Sequence, residues 1–166
     1  MNINFFNNQC KELPKTDKTI GICDDQDGKR AYTDSTDPSK WLATIKNENQ
    51  LSISFTAIDN CMNIIKEESK NRESTCDGML TFSDSLFLVE LKKQRTGGWI
   101  SDAIGQLENT IKILLSNHNL EAYKYKKAFA CNRRHPRFTV IDNERNKRFF
   151  NTYGFRLDIQ AEIVVK

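Results

Sequence analysis

Three ionisable side chains in the middle of the sequence have a spacing suited to metal and phosphate chemistry. Asp77 begins a short run that ends at residue 82, and Glu90 and Lys92 end a second run that begins at residue 86. Two such runs joined by a polar turn predict a β-hairpin, in which side chains two apart point to the same face. Glu90 and Lys92 then project together, and strand pairing brings Asp77 close to Glu90. Two carboxylates beside an ammonium form a predicted Mg²⁺ site with a charge-stabilising group next to it.

The second of these strands is predicted to be buried on both faces, because residues 86–89 are all apolar. Ionisable groups at the end of such a strand shift their pKa, pair with other charges or bind a metal. The alternative is a strand that simply becomes solvated at its end. Glu90 and Lys92 would then form an ordinary ion pair on one face.

The segments around the hairpin predict alternating helices and strands. Residues 57–70 and 99–115 carry apolar side chains at helical spacing, and residues 123–131 are expected to form a strand. This order of elements predicts an α/β fold with a mixed central β-sheet flanked by helices. Further strands are expected at residues 41–45, 51–55, 138–141 and 155–165, and an N-terminal hairpin is expected at residues 19–33.

The placement of Asp77, Glu90 and Lys92 on a hairpin followed by a helix resembles the PD-(D/E)XK nuclease superfamily, which has the restriction-endonuclease-like fold. The resemblance covers about residues 56–131. It implies an αβ-β-αβ core, here with an extra N-terminal β-hairpin, in one nuclease-like domain spanning residues 1–166. Cys76 stands where the name-giving motif has a proline.

The same resemblance implies roles for these residues. Asp77, Glu90 and the backbone carbonyl of Leu91 would be ligands of Mg²⁺ or Mn²⁺. Lys92 would be the catalytic lysine, which orients or activates the attacking water and offsets the charge that develops on the phosphate.

Two further site residues are expected from particular branches of the superfamily. Some members carry a glutamine on the helix after the lysine strand, and Gln106 occupies that place. Many add an acid from the helix before the Asp strand, for which Asp59 and Glu68 compete; we prefer Asp59 because it lies near the start of the predicted helix. The alternatives are structural: Gln106 as a residue bordering the apolar stripe, Asp59 as a helix cap, and Glu68 as an exposed residue of the last turn.

Positive charge is concentrated in one part of the chain. The formal net charge is only +3, but the window 124–148 contains nine Lys or Arg residues and two acids. This density predicts contacts with phosphates, and a solvated basic surface is the alternative. The candidate nucleic-acid-binding residues are Lys124, Lys126, Arg133, Arg134 and Arg137.

Composition argues against several other classes of protein. The 166 residues are enough for a hydrophobic core, and no apolar run is long enough to span a membrane. The N-terminus lacks the pattern of a signal peptide, so we expect a cytoplasmic protein without membrane contact. The five cysteines are scattered, with no Cys-x-x-Cys spacing, which favours reduced core residues over a disulfide framework or a zinc site.

These observations predict a metal-dependent nuclease that hydrolyses phosphodiester bonds of DNA, with RNA as an alternative substrate. By resemblance, its setting would be restriction, repair or anti-phage defence. The competing hypothesis is a catalytically silent nuclease-like domain that binds nucleic acid or a protein partner as a subunit of a larger complex. A homodimer is also left open.

Overall fold

The computed structural model describes residues 2–93, 97–133 and 143–166 and shows an α/β protein with two mixed β-sheets and two helices. The helices are α1 (Trp99–Asn117) and α2 (Asn143–Tyr153). The strands are β1 (Thr19–Cys23), β2 (Tyr32–Asp34), β3 (Ala43–Lys46), β4 (Ser54–Ala57), β5 (Gly78–Phe82), β6 (Ser85–Lys92), β7 (Tyr125–Asn132), β8 (Arg156–Ile159) and β9 (Glu162–Val164).

The larger sheet has five strands in the order β4-β5-β6-β7-β8. Strands β4, β5 and β6 pair antiparallel with their neighbours, whereas β6, β7 and β8 run parallel. Parallel neighbours need a crossover connection, and α1 lies between β6 and β7 in the chain as α2 lies between β7 and β8. Strand β6 is central, and Lys92 at its end is its one residue that is not buried.

Each face of the larger sheet is covered by a different layer. Odd-numbered β6 side chains such as Phe87 and Val89 share a core with Ile22 and Ile45 of the smaller sheet, whose strand order is β2-β1-β3-β9. Even-numbered side chains such as Leu88 pack with the buried stripe of α1. The predicted mixed sheet is therefore confirmed, but helices cover one of its faces and a second sheet covers the other. The expected N-terminal hairpin is part of that second sheet, as β1 and β2.

The hairpin that carries Asp77 and Glu90 and the helix after it are confirmed as β5, β6 and α1. The helix predicted at residues 57–70 is wrong: Ala57 ends β4, and residues 58–70, all of them described, form turns and irregular backbone, with an isolated bridge between Ile65 and Arg72. Asn60 adopts φ 60°, and the backbone N–H of Asp59 donates to the carbonyl of Cys76 rather than to a helical partner. The first helix of the implied αβ-β-αβ core is absent from the described residues.

Other elements differ from the expectation in position. Strand β3 begins at Ala43 and β4 at Ser54, later than predicted, and α2 forms where no helix was expected. The strand predicted at residues 138–141 lies outside the described residues. Neither helix in the described part of the chain has the length and apolar content that crossing a bilayer would require.

The cysteines are only partly as expected. Cys23, Cys76 and Cys131 are free and buried, but Cys10 and Cys61 form a disulfide. The prediction of reduced cysteines was therefore wrong for this pair. The bond connects the N-terminal segment, which runs beside β4, to the turn after β4, a pairing that spacing along the chain does not reveal.

Candidate active site

The β5–β6 hairpin places Asp77 opposite Glu90. The last residues in the strand register are Gly78 and Val89. Just beyond them, the carboxylates of Asp77 and Glu90 accept hydrogen bonds from the backbone of the opposite strand. The backbone N–H of Asp77 donates to Glu90 Oε2 at 3.2 Å, and the N–H of Leu91 donates to Asp77 Oδ2 at 2.7 Å. Both carboxyl groups are nearly buried, with 8 % of Asp77 and 2 % of Glu90 exposed.

Lys92 joins this pair to helix α1. Its ammonium lies 3.1 Å from Glu90 Oε1 and donates to Gln106 Oε1 at 2.6 Å. The Gln106 amide in turn donates to the carbonyl of Thr75 at 3.2 Å, so it also holds the segment that leads into Asp77. Four residues predicted from the sequence, Asp77, Glu90, Lys92 and Gln106, therefore form one continuous network.

A buried threonine fixes the position of helix α1 relative to the segment that precedes Asp77. The backbone N–H of Cys76 donates to Thr110 Oγ1 at 2.8 Å, and that hydroxyl donates to the carbonyl of Gln106 at 2.8 Å. Thr110 is fully buried, one turn after Gln106 on the helix. The contact locks the chain just before Asp77 against the turn that carries the glutamine.

The network opens into a cleft of about 310 Å³. One wall belongs to the loop between β1 and β2, and another belongs to the turn after β4. The lining residues are Asp24, Gln26, Gly28, Asp59, Asn60, Asp77, Glu90, Leu91, Lys92, Lys93 and Gln106. The smaller sheet therefore contributes to the rim of a site whose centre lies on the larger one.

The electrostatics of the cleft are dominated by buried carboxyl groups. The pKa of Asp77 is raised to about 7, chiefly by burial; the N–H of Leu91 opposes this rise, and the nearby charges of Asp24 and Asp59 add to it. Burial also raises the pKa of Glu90 well above its ordinary value; the charge of Asp77 adds to this, whereas Lys92 opposes it. Ionising both acids in this setting is costly without an additional positive charge.

The two candidates for a further acid have different outcomes. Asp59 lines the cleft, although from a turn rather than from a helix, and Arg72 lies 3.2 Å from its carboxylate. Burial raises the pKa of Asp59, and the Arg72 charge opposes that rise. Glu68 is exposed and is not among the residues that line the cleft.

The predicted phosphate-binding residues are divided between two ends of the sheet. The register of β6 with β7 pairs Lys92 with Asn132 and Ser85 with Tyr125. Arg133 therefore follows β7 at the end that carries the cleft, where it donates to the carbonyl of Ser39 at 2.7 Å. Lys124 and Lys126 lie at the opposite end of β7, about 20–30 Å away at the usual rise per strand residue. Arg134 and Arg137 lie outside the described residues.

Asp24 is a cleft residue that the sequence analysis missed. It lies just after β1 and reaches the cleft because the smaller sheet packs on the larger one. The acidic turn Asp24-Asp25-Gln26-Asp27 is evident in the sequence, but its position beside the cleft depends on contacts between the two sheets. Gln26 was missed for the same reason, and Asn60 was missed because the turn that carries it was predicted to be helical.

The donor atoms in the cleft suit a hard divalent cation. Asp77 and Glu90 provide carboxylate oxygens, Leu91 lines the same cleft, and neither free cysteine near them is a competitive ligand, because burial raises the pKa of the Cys76 and Cys131 thiols. Within the described residues, no group of three or more His, Cys, Asp or Glu side chains is arranged to hold a metal ion. A cation here would therefore depend on two carboxylates, backbone oxygen and ligands from water or substrate.

Comparison of the chain with family models, curated proteins and solved structures gave no match. The chemistry of the cleft residues is therefore the basis on which a function is assigned.

Proposed function

We propose that this protein is a metal-dependent nuclease that hydrolyses phosphodiester bonds of DNA, with RNA as the alternative substrate. One observation carries the proposal: two nearly buried carboxyl groups, Asp77 and Glu90, share an open cleft with Lys92. The order β5, β6, α1 and β7 around them also agrees with the part of the PD-(D/E)XK core that follows its first helix. This agreement supports the family resemblance drawn from the sequence.

Asp77 and Glu90 would hold Mg²⁺ or Mn²⁺, with the backbone carbonyl of Leu91 as a further ligand. When bound, such a cation supplies Lewis-acid stabilisation of phosphate charge and favours ionisation of water. Two adjacent buried carboxyl groups with a single lysine beside them carry a charge imbalance that a divalent cation would correct. Asp59 would act from the cleft wall, where its pairing with Arg72 keeps it partly neutralised.

The remaining residues would position groups and stabilise charge. Lys92, held on one side by Glu90 and on the other by Gln106, presents a fixed positive charge at the end of β6. A charge fixed in advance stabilises a phosphate transition state without the cost of reorganisation. The N–H of Leu91 orients the Asp77 carboxylate, so that both acids are positioned before substrate binds.

A catalytically silent domain is the second candidate, and a specific observation favours it. Glu90 and Lys92 already neutralise each other, and no metal-binding group of three side chains is found in the described residues. In this case the chain would bind nucleic acid, or a protein partner in a larger complex or a homodimer, without cleaving anything. Cleavage in the presence of a divalent metal separates the two candidates.

The decisive experiment is a cleavage assay with linear, circular and branched DNA and single-stranded RNA, in Mg²⁺, Mn²⁺ or EDTA. Wild-type protein should cleave at least one substrate with metal and none with EDTA. Glu90→Gln should be inactive, whereas the matched change Glu121→Gln, at an exposed position after α1, should be fully active. If wild-type protein cleaves nothing with either metal, the nuclease proposal fails and the silent domain replaces it.

Restriction, repair or anti-phage defence in the cytoplasm is the setting that we propose, on the family resemblance alone. The Cys10–Cys61 disulfide is the observation that opposes a reducing compartment, because such bonds are uncommon there. Thiol counting on protein trapped with alkylating agent directly from cells would test this location. A fully reduced pair would support the cytoplasm, and a fully oxidised pair would contradict it.

A further inference from the structure

A second hollow lies between α2 and the start of β8, with a volume of about 310 Å³. It is lined by Asn146, Lys147, Phe150, Asn151 and Arg156. We call it the α2–β8 hollow. Within the described part of the chain it shares no lining residue with the cleft around Asp77 and Glu90.

The helix presents these side chains together because of its periodicity. Residues one, four and five positions apart fall on neighbouring sides of a helix, which groups Asn146, Lys147, Phe150 and Asn151. The adjacent Phe149 points into the core with 4 % of its surface exposed, whereas Phe150 is 55 % exposed. One phenylalanine therefore anchors α2, and its neighbour leaves an aromatic face open to solvent.

Each lining residue is of a type that recognises part of a nucleotide. An open aromatic ring stacks on a base, asparagine amides donate to and accept from base edges, and Lys147 and Arg156 attract phosphates. None of the five is an acid that would repel a phosphate. We propose that the α2–β8 hollow binds one nucleotide unit of a single-stranded nucleic acid, with its base on Phe150 and its flanking phosphates on Lys147 and Arg156.

A single strand is favoured over a duplex because stacking on Phe150 requires a base with a free face. One further lysine lies beside the hollow at the same end of the sheet. A Cβ placed on Gly154 would lie 3.8 Å from Lys126 Cε, whereas Lys127, in register with Arg156, has its ammonium 3.9 Å from a carboxylate oxygen of Asp158. Lys126, which is predicted to contact phosphate, thus lies next to this hollow rather than next to the cleft.

The sheet register gives the distance between the two sites. In β7, Lys127 pairs with Arg156 of β8, and Ala130, three residues later, pairs with Glu90 of β6. Arg156 and Glu90 are therefore separated by three residues along the strands and by two strand spacings across them. These steps are about 10 Å each, so the two backbones lie about 14 Å apart. At about 3.4 Å per nucleotide of a stacked strand, one oligonucleotide of about twelve residues reaches both sites.

This inference deepens the proposed function, since it names a strand-holding site for the same substrate, and binding without cleavage tests it separately. The probe is a fluorescent twelve-nucleotide single-stranded DNA, measured by anisotropy in EDTA. Phe150→Ala should weaken binding roughly tenfold to hundredfold, whereas Phe150→Tyr should bind like wild type because it keeps the ring. Lys147→Gln and Arg156→Gln should each shallow the slope of log affinity against log salt by about 0.7.

Two controls separate the hollow from general effects. Arg148→Gln removes the same charge from another side of α2, where Arg148 lines a different hollow with Glu108, and should leave the salt slope unchanged. Leu13→Ala removes an exposed apolar side chain that is distant from α2 in the sequence and should leave the affinity unchanged. Circular dichroism and thermal melting show whether each variant folds.

Three results would overturn the proposal. Unchanged affinity of folded Phe150→Ala would do so, as would an equal effect of that change on blunt duplex DNA. Concentration-dependent sedimentation that Phe150→Ala abolishes would assign the surface to a second copy of the chain instead. Failure of the nuclease proposal gives a different result from failure of this one. In that case wild-type protein would cleave nothing, but Phe150→Ala would still weaken binding.

Discussion

The ammonium of Lys92 lies 2.6 Å from the side-chain oxygen of Gln106, which connects the end of the central strand β6 to the second turn of α1. The same ammonium lies 3.1 Å from a carboxylate oxygen of Glu90. The lysine side chain is therefore fixed in position by contacts with two elements, β6 and α1. The glutamine is therefore a positioning residue for the lysine.

Gln106→Ala should lower the cleavage rate about tenfold to hundredfold, because small displacements of a charged group cost rate on this scale. Substrate affinity should change little. The matched control is Asn109→Ala, one turn further on α1, which loses hydrogen bonds to Glu73 and Ser74 but does not contact Lys92. Single-turnover cleavage measures the effect, and equal losses in the two variants would show that Gln106 only holds the neighbouring loop.

Glu90→Ala should abolish cleavage, and Lys92→Ala should lower the rate by about 10² to 10³, because each removes a group that matters most in the transition state. Glu90→Ala should bind DNA at least as tightly as wild type, since it removes negative charge near the phosphate. Rates are measured at saturating protein and affinities separately in EDTA. Lys18→Ala, at an exposed position, is the control. Loss of affinity equal to the loss of rate would make Lys92 a simple phosphate contact.

The metal-free protein should lose stability as the pH rises from about 4 through about 7. Burial raises the pKa of Asp77 from 3.8 to about 7 and raises that of Glu90 as well, so the folded state binds more protons than the unfolded state in this window. The contribution of Asp77 is complete below about pH 4 and is lost as the pH passes about 7, and the raised pKa of Glu90 acts in the same direction. Asp77→Asn should flatten this part of the profile in urea unfolding with EDTA. A variant profile parallel to that of wild type would contradict the assignment.

Mn²⁺ or Mg²⁺ should raise the melting temperature more as the pH rises, because burial raises the pKa of both carboxyl groups and a cation binds their ionised forms. Neither Asp77→Asn nor Glu90→Gln should respond to metal, whereas Glu121→Gln should respond like wild type. Differential scanning fluorimetry with a Mn²⁺ titration measures the shift. Crystals grown in Mn²⁺ should show density between the two carboxylates, and equal shifts in all variants would place the ion elsewhere.

Reducing the Cys10–Cys61 disulfide should destabilise the protein by about 2–4 kcal/mol, since the bond closes a loop with a sequence separation of 51. Dithiothreitol should lower the midpoint of urea unfolding for wild type. The double variant Cys10→Ser with Cys61→Ser should already have the lower midpoint and should not respond to dithiothreitol. Mass spectrometry that finds both thiols free in untreated protein would contradict the bond.

The hairpin and α1 were predictable because local signals determine them. Residues 86–92 form an apolar run with a polar end, and the stripe on α1 repeats over its whole length. The strand pattern predicted that Asp77, Glu90 and Lys92 lie together, and the family resemblance added Gln106 on α1. A site formed by elements that are consecutive in the chain can be predicted from local sequence patterns, because its geometry depends on few long-range contacts.

The failures have long-range causes. Ile58, Cys61 and Ile64 have helical spacing, but Asn60 adopts φ 60°, and the turn is tied to Cys10 and to Arg72. The spacing of apolar residues does not reveal a disulfide or an ion pair of this kind. Such contacts outweigh the intrinsic preference of a short segment for a helix. Asp24 was missed in the same way, because its place in the cleft follows from packing between two sheets.

The turn between β5 and β6 is only two residues long, Ser83 and Asp84, and Ser83 adopts φ 47°. This length fixes which residue of β6 lies opposite Asp77. Inserting one residue there would move Val89 into the place of Glu90, and deleting one would move Leu91 there. Either change would turn the charged side chains toward the other face. The spacing of thirteen between the two acids is therefore as necessary as their identity, and a length change in this exposed turn should be as harmful as losing Glu90 itself.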